Sequence, residues 1–315
     1  MKKVALVTGA EGFIGSHLVR FLHGKGWEVV GTYRNHGSSV PASEPGISFV
    51  QCDLRNGQHV EQLVQELAPT HIFHLGAQSL PVVSWTDPVE TFESNIMGSL
   101  YLFEAARRRK KAPVIVSACS SAEYGHVPRS AIPVTEEQPL HPLHPYGISK
   151  LCQELLGRQY FADYGIGVVA IRLFNTTGPG KTNDAPSDFV RQLARIQKGQ
   201  QAPVLDVGNL KTHRAFLDVQ DAVFGFYRAA IKGTPGETYN LCAPRTNSIA
   251  EVLRTAIRLA GIKVTIRPAA HLMRPSDETV IFGSTRKFSR DTGWKPRFSL
   301  AQTLQSMLEY WQKSA

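Results

Sequence analysis

At 315 residues the chain exceeds the ~100–200 residues of a usual single domain, which predicts one large unit or two unequal ones. Its 42% hydrophobic and 19% charged residues exclude a disordered chain, and no run approaches the ~18 consecutive apolar residues of a membrane span. A formal net charge of +9 favours an anionic partner, while four cysteines (Cys52, Cys119, Cys152, Cys242) without metal-ligand spacing predict reduced thiols and no metal site.

The N-terminus enters a strand pattern at once, with no signal-like segment, so a cytoplasmic setting is expected. Short apolar runs at 4–7, 28–32, 47–51, 72–75, 114–117 and 168–172 alternate with amphipathic stretches. That is the pattern of a parallel sheet with helices on both faces, and near-continuous Val, Ile and Leu predict strands buried on both sides. The expected fold is therefore α/β, a Rossmann-type doubly wound parallel sheet. A helix is predicted over 88–109, ending in Arg107-Arg108-Arg109-Lys110-Lys111. Cations suit a helix C-terminus, so this run reads as a solvated cap rather than a nucleic-acid site.

After Phe174 the stretch NTTGPGKTNDAPSD is rich in turn formers, and from Phe189 the chain reads as helical with short strands such as 238–241. Apolar residues recur at helical spacing over 249–261, with Gly261 as a C-cap, and 299–312 reads as a final helix. These features predict a Rossmann domain over 1–175, to which 219–245 returns, and a smaller C-terminal substrate-binding region over 176–218 and 246–315.

The first strand runs into VTGAEGFIG (7–15), with Gly9, Gly12 and Gly15 at spacings of three before SHLVRFLHGKG. A glycine turn between strand and helix lets the backbone approach a pyrophosphate, whose charge faces the free N–H groups of the first helical turn. The predicted dinucleotide cradle is Gly9, Gly12, Phe13, Ile14 and Gly15. The second strand, EVVGTYRNHG, ends without the acid that accepts from a ribose 2′-hydroxyl; Arg34 stands there instead. A guanidinium pairs with a 2′-phosphate, so NADP(H) is expected over NAD(H), the alternative being that Arg34 is a surface residue near the adenine. Farther on, YGISK sets Tyr146 and Lys150 four residues apart on one helical face. The ammonium is expected to lower a phenol pKa that is ordinarily about 10, and a tyrosine so tuned passes a proton to or from a substrate oxygen during hydride transfer.

With its GxxGxxG turn, SACSSAEYG and YGISK, the chain resembles the extended branch of the short-chain dehydrogenase/reductase superfamily. PLHPYGISK, RLFNTTGPG, VGNLKTHRAFLDVQDAV, RPSDE and DTGWKP narrow the resemblance, over nearly the whole chain, to its nucleotide-sugar branch of GDP-sugar reductases and dehydratases. The resemblance implies that Ser120 hydrogen-bonds the reacting oxygen beside Tyr146, with Lys150 completing a triad; Ser121 reads as substrate-facing or structural. It places Asp53 and Leu54 by the adenine, and Leu75, Gly76 and Ala77 along the phosphate-ribose region. Arg214 and Arg274 would hold the substrate pyrophosphate and Asn175 would contact it near the sugar, with Lys181 and Lys211 as further candidates. Asp218 and Asp221 either touch substrate or anchor Arg214 and the following helix. Thr176 stands where the family pattern has His. A homodimer through helices at about 88–109 and 146–161 is implied.

Dehydratases of this group carry Glu or Asp two residues before the tyrosine of the YG pair, where this chain has Ala122. Glu123 is adjacent, but in an extended segment neighbouring side chains point oppositely. The resemblance thus implies NADPH-dependent reduction of a 4-keto nucleotide sugar, with GDP-4-keto-6-deoxy-D-mannose first among substrates. The alternatives are a GDP-mannose 4,6-dehydratase or nucleotide-sugar epimerase with no net redox change, and a non-catalytic Rossmann sensor or RNA-binding protein. The intact Ser120, Tyr146 and Lys150 set argues against the last, and neither nucleic acid nor membrane is expected as a partner.

Overall fold

Each of the six apolar runs forms a strand in the computed structural model, which describes residues 3–34, 45–272 and 282–314. In chain order the elements are β1 (Val4–Thr8), α1 (Phe13–Gly24), β2 (Glu28–Tyr33), β3 (Ile47–Gln51), α2 (Gly57–Leu67), β4 (His71–His74), α3 (Pro81–Thr86), α4 (Pro88–Phe92), α5 (Gly98–Arg107), β5 (Val114–Ser120), α6 (Pro145–Tyr164) and β6 (Val168–Leu173). There follow β7 (Thr176–Thr177), α7 (Ala185–Gln197), β8 (Val204–Val207), β9 (His213–Arg214), β10 (Leu217–Asp218), α8 (Val219–Lys232), β11 (Thr238–Leu241), β12 (Asn247–Ser248), α9 (Ile249–Ala260), β13 (Thr265–Pro268), α10 (Arg286–Thr292) and α11 (Leu300–Ser314).

Seven strands form one sheet in the order β11-β6-β5-β4-β1-β2-β3, every neighbouring pair parallel. The winding reverses between β1 and β4, and the carboxyl ends of strands at such a reversal leave the crevice in which doubly wound folds bind ligands. Apolar helix faces cover both sides of the sheet. Leu18 and Leu22 of α1 join Val223 and Phe226 of α8 on one face; Val64 of α2 joins Leu102 and Phe103 of α5 on the other. Each such fully buried side chain contributes about 1.5–3 kcal/mol. A third cluster, away from the sheet, unites Phe189 and Leu193 of α7, Leu205 of β8, Val252 and Leu253 of α9, and Leu304 and Met307 of α11.

The helix expected over 88–109 runs without a gap from Pro88 to Arg107, with one wider turn inside it. Pro88 opens α4 under an Asp87 cap, Glu93–Met97 is wound in the wider π manner, and α5 continues directly from Gly98. π turns recur at functional sites. Here the turn carries a buried Asn95, whose Oδ1 accepts from the Gln78 N–H at 2.7 Å and whose Nδ2 donates to the Gln78 carbonyl at 3.0 Å and the Ser149 hydroxyl at 2.9 Å. One amide therefore joins the segment after β4 to the helix bearing Tyr146. Among the described residues, no helix is long and apolar enough to cross a membrane.

Candidate active site

The glycine turn sits at the carboxyl end of β1, and its three glycines serve different ends. Gly9 has a φ of +67°, and a Cβ there would lie 2.8 Å from Gly76 Cα. A Cβ on Gly15 would overlap the Gly9 carbonyl oxygen and come within 2.8 Å of Ala10 Cα, so the turn folds tightly onto the helix only because that atom is missing. Gly12 is the N-cap of α1 and no side chain caps the helix, leaving the amides of its first turn, beginning at Phe13 and Ile14, for an outside acceptor. A dinucleotide pyrophosphate fits that donor set. Across the crevice, Thr8 Oγ1 accepts from the N–H groups of Leu75 (3.1 Å) and Gly76 (2.9 Å) and shares a hydrogen bond with His74 Nδ1 (2.9 Å). Burial pushes His74 down to about 3, so it is a neutral structural ring. These bonds hold Leu75, Gly76 and Ala77 beside the glycine turn.

At the outer end of the crevice Arg34 follows β2. Its backbone N–H donates to the Glu11 carboxylate (3.1 Å), and its guanidinium donates to Glu90 Oε1 (2.5 Å) and the Ser94 hydroxyl (3.3 Å). Asp53 follows β3 and is held by Arg55, which donates from its backbone N–H at 3.0 Å and from Nη2 at 2.6 Å, keeping the carboxyl below its usual range. Arg55 also lies 3.6 Å from Glu90. Leu54 lies under the loop, its Cδ1 being 2.8 Å from where a Cβ on Gly76 would stand. Asp53, Arg55, Asn56, Glu93, Met97 and Tyr101 line a cleft here. Sequence spacing singled out neither Arg55 nor Glu90; Glu90 reaches Arg34 only because α4 packs across the end of β2.

The chemical groups meet at the end of β5. Ser120 caps a short 3₁₀ turn over Ser121–Glu123, with its hydroxyl accepting from the Ala122 N–H at 3.2 Å. Tyr146 is the second residue of α6, and its hydroxyl faces that of Ser120. A Cβ on Gly147 would lie 2.8 Å from the Ala122 carbonyl oxygen, so glycine is what lets α6 lie this close to the serine turn. His144 caps α6, its Nδ1 accepting from the Gly147 N–H at 3.0 Å, and its ring stacks on that of Tyr146 at 5.9 Å. Lys150, one turn on, is buried; its Nζ donates to the Ala118 carbonyl (2.8 Å) and Gln153 Oε1 (2.9 Å) and lies 6.0 Å from the Tyr146 ring centre.

This geometry corrects the expected tuning of Tyr146. Burial dominates and pushes the phenol up to about 12, with the Ser120 hydrogen bond opposing, while burial pushes Lys150 below its ordinary value. The ammonium is directed at a carbonyl and an amide rather than at the phenolic oxygen, so it does not offset the lost solvation. The phenol holds its proton at neutral pH.

Ser121 and Ala122 are both partly exposed and Glu123 is fully buried; the segment is a 3₁₀ turn and not the extended stretch expected, so it is the turn that sets Glu123 apart from Ala122. On the remaining side of the crevice, Asn175 is exposed after β6 and its carbonyl accepts from the Leu217 N–H at 2.9 Å; Thr176 is buried in β7. Arg214 lies in β9, paired with Asn247 of β12, and donates to the His213 carbonyl at 2.8 Å. Asp218 caps α8 through the Gln220 N–H (2.7 Å), and Asp221 accepts from the N–H groups of Arg297 (2.9 Å) and Phe298 (3.0 Å), so both carboxylates anchor chain. Lys181 lies 5.1 Å over the Phe13 ring, beside the glycine turn, whereas Lys211 is exposed. Arg274 falls outside the described residues.

Residues 6–307 match the family model described as GDP-mannose 4,6 dehydratase. A GDP-6-deoxy-D-mannose reductase from Pseudomonas aeruginosa is 31% identical over 313 residues, covering 99% of this chain and 98% of the relative. The solved structure of RMD from Pseudomonas aeruginosa complexed with NADPH superposes with a TM-score of 0.86 at 29% identity, covering 100% of both chains. A Thermus thermophilus UDP-glucose 4-epimerase in complex with NAD does so with a TM-score of 0.87 at 28% identity, covering 99% of this chain and 100% of that one. Since the match takes in the glycine turn, the serine turn and the tyrosine helix together, the chain belongs to the GDP-mannose 4,6-dehydratase family.

Proposed function

We propose that the chain is a cytoplasmic reductase that converts a 4-keto nucleotide sugar, GDP-4-keto-6-deoxy-D-mannose, to the corresponding alcohol. A bound reduced pyridine dinucleotide would supply the hydride for C4. The chain's own part is polar: Ser120 donates to the C4 carbonyl oxygen, Tyr146 gives that oxygen its proton, and Lys150 holds the ribose beside them. The observation that carries this reading is the meeting of Ser120, Tyr146 and Lys150 at the carboxyl end of β5, with burial keeping the Tyr146 phenol in the protonated form a general acid needs in the reductive direction. The Pseudomonas aeruginosa reductase, related over nearly its full length, supports the same direction. Ala122 supports it too, since a methyl group cannot take the proton that dehydration removes.

Arg214 and Arg274 hold the substrate pyrophosphate and Asn175 faces the sugar, with the cluster of α7, β8, α9 and α11 forming the outer wall of that region. NADP(H) is the favoured cofactor, on the strength of Arg34 and of the NADPH complex among the neighbours. A 2′-phosphate would then compete with Glu90 for the Arg34 guanidinium. Exposed Val89, Ile148 and Leu155 on α4 and α6 support pairing of two copies through these helices. Absorbance of NADPH with purified protein and the keto-sugar tests the reading: one NADPH lost per product formed supports it, and product without loss of NADPH assigns the chain to the dehydratases or epimerases instead.

A further inference from the structure

Directly behind the serine turn lie three charged side chains with almost no access to water: Glu123 at 0%, Glu154 at 1% and Arg172 at 3% exposure. They come from the three elements that build the active site. Glu154 is one turn beyond Lys150 on α6, Arg172 is on β6, and Glu123 closes the turn begun by Ser120. Arg172 donates to both oxygens of Glu154, at 2.7 and 2.8 Å, and also to the Tyr124 hydroxyl (2.9 Å) and the Glu136 carbonyl (3.0 Å). Glu123 Oε1 accepts from the Ser120 N–H at 2.7 Å. Its Oε2 accepts from no donor among the described residues; it faces Arg172 Nε at 3.5 Å and the Glu154 carboxylate. Cys119 Sγ joins the two carboxylates within 4.8 Å, but Arg172 already neutralises Glu154, which argues against a cation.

We propose that Glu123 is a positioning residue: its carboxyl ties the Ser120 turn to the Glu154–Arg172 pair and so fixes the Ser120 hydroxyl against Tyr146. The two carboxyls share one guanidinium, and burial together with the Glu154 charge pushes Glu123 well above the usual carboxylate range. With a proton on Oε2, the orphaned oxygen becomes a donor to Glu154, and the carboxyl spans the turn and the helix as acceptor at one end and donor at the other. A buried half-satisfied polar group would otherwise be costly.

The test compares Glu123→Gln and Glu123→Leu. Glutamine reproduces both ends, its carbonyl accepting from Ser120 and its amide donating to Glu154; leucine keeps the volume and loses both. This rests on the reductase reading for its kinetics, so a second readout is independent of turnover: the ¹³Cζ resonance of Tyr146, assigned by its loss in Tyr146→Phe. We expect E123L to lower kcat about tenfold or more while KM and dinucleotide affinity change less than about threefold, and E123Q to restore kcat to within about twofold, because misplacement of a reacting group falls on the chemical step. The Tyr146 resonance moves in E123L and stays in place in E123Q. Should E123L not fold, Glu123→Asp, too short to reach both partners, takes its place with the same expectation. Wild-type kcat and an unmoved resonance in E123L overturn the proposal, as does a loss of kcat in E123Q equal to that in E123L. A wild-type protein that consumes no NADPH overturns the reductase reading alone, and the resonance then decides on Glu123.

Discussion

Replacing Tyr146 with phenylalanine removes one oxygen and little else. The ring stack with His144 at 5.9 Å and the 6.0 Å approach of Lys150 depend on the ring and stay. Ser120 keeps the bond it accepts from the Ala122 N–H at 3.2 Å, so losing its partner does not strand it. The stability change should therefore be that of one ordinary hydrogen bond, about 0.5–1.5 kcal/mol. The catalytic loss is larger, because a positioned general acid contributes ~10²–10⁴-fold, or about 3–5 kcal/mol of barrier. Measuring kcat from NADPH absorbance, dinucleotide affinity from fluorescence, and unfolding by denaturant separates the two effects. A variant that binds dinucleotide normally and keeps kcat within about tenfold of wild type would refute Tyr146 as the proton donor.

Three further outcomes follow from the geometry. Gly15→Ala forces a Cβ onto the Gly9 carbonyl and within 2.8 Å of Ala10 Cα. Strain of about 1–3 kcal/mol should open the turn and weaken dinucleotide affinity about tenfold, and unchanged affinity by fluorescence titration would show that the turn is not the cradle. Glu90→Gln releases Arg34 from a partly exposed pair of the kind contributing about 0–1 kcal/mol, so the affinity ratio of NADPH to NADH should rise by up to about fivefold; an unchanged ratio removes Arg34 from the 2′-phosphate site. The Glu104 carboxyl is held down to about 2, first by the Arg107 hydrogen bonds and then by Tyr160. A lowered carboxyl contributes stability above its unfolded value, near 4.5, that is lost as pH falls toward 2. Denaturation midpoints taken from pH 5 down to 2.5 should therefore fall less steeply in Glu104→Gln than in wild type, and equal slopes would sink the assignment.

Much of the fold could be read along the chain, because the signals involved are local. Val, Ile and Leu in short runs bury on both faces inside a parallel sheet, and all six runs became strands, with β3 at the edge of the sheet staying partly exposed. A glycine turn between strand and helix, or a tyrosine four residues from a lysine, is likewise a matter of chain geometry over a few residues. Glu123 does lie apart from Ala122, but on a 3₁₀ turn and not by the alternation of the extended segment expected there. What tertiary packing decided was each side chain's partner. Arg34 meets Glu90 across 56 residues of sequence, Glu123 meets Arg172 across 49, and Lys150 finds the Ala118 carbonyl rather than the phenol beside it. The π turn inside the predicted 88–109 helix belongs here as well, since Asn95 is bonded to Gln78 and Ser149 on other elements. A charge's effect depends on distance and on the water excluded around it, and both are set by elements far apart in the chain. Hence the residue types of the site were visible in the sequence, while the protonation of Tyr146 and the company kept by Arg34 and Glu123 came from the folded arrangement.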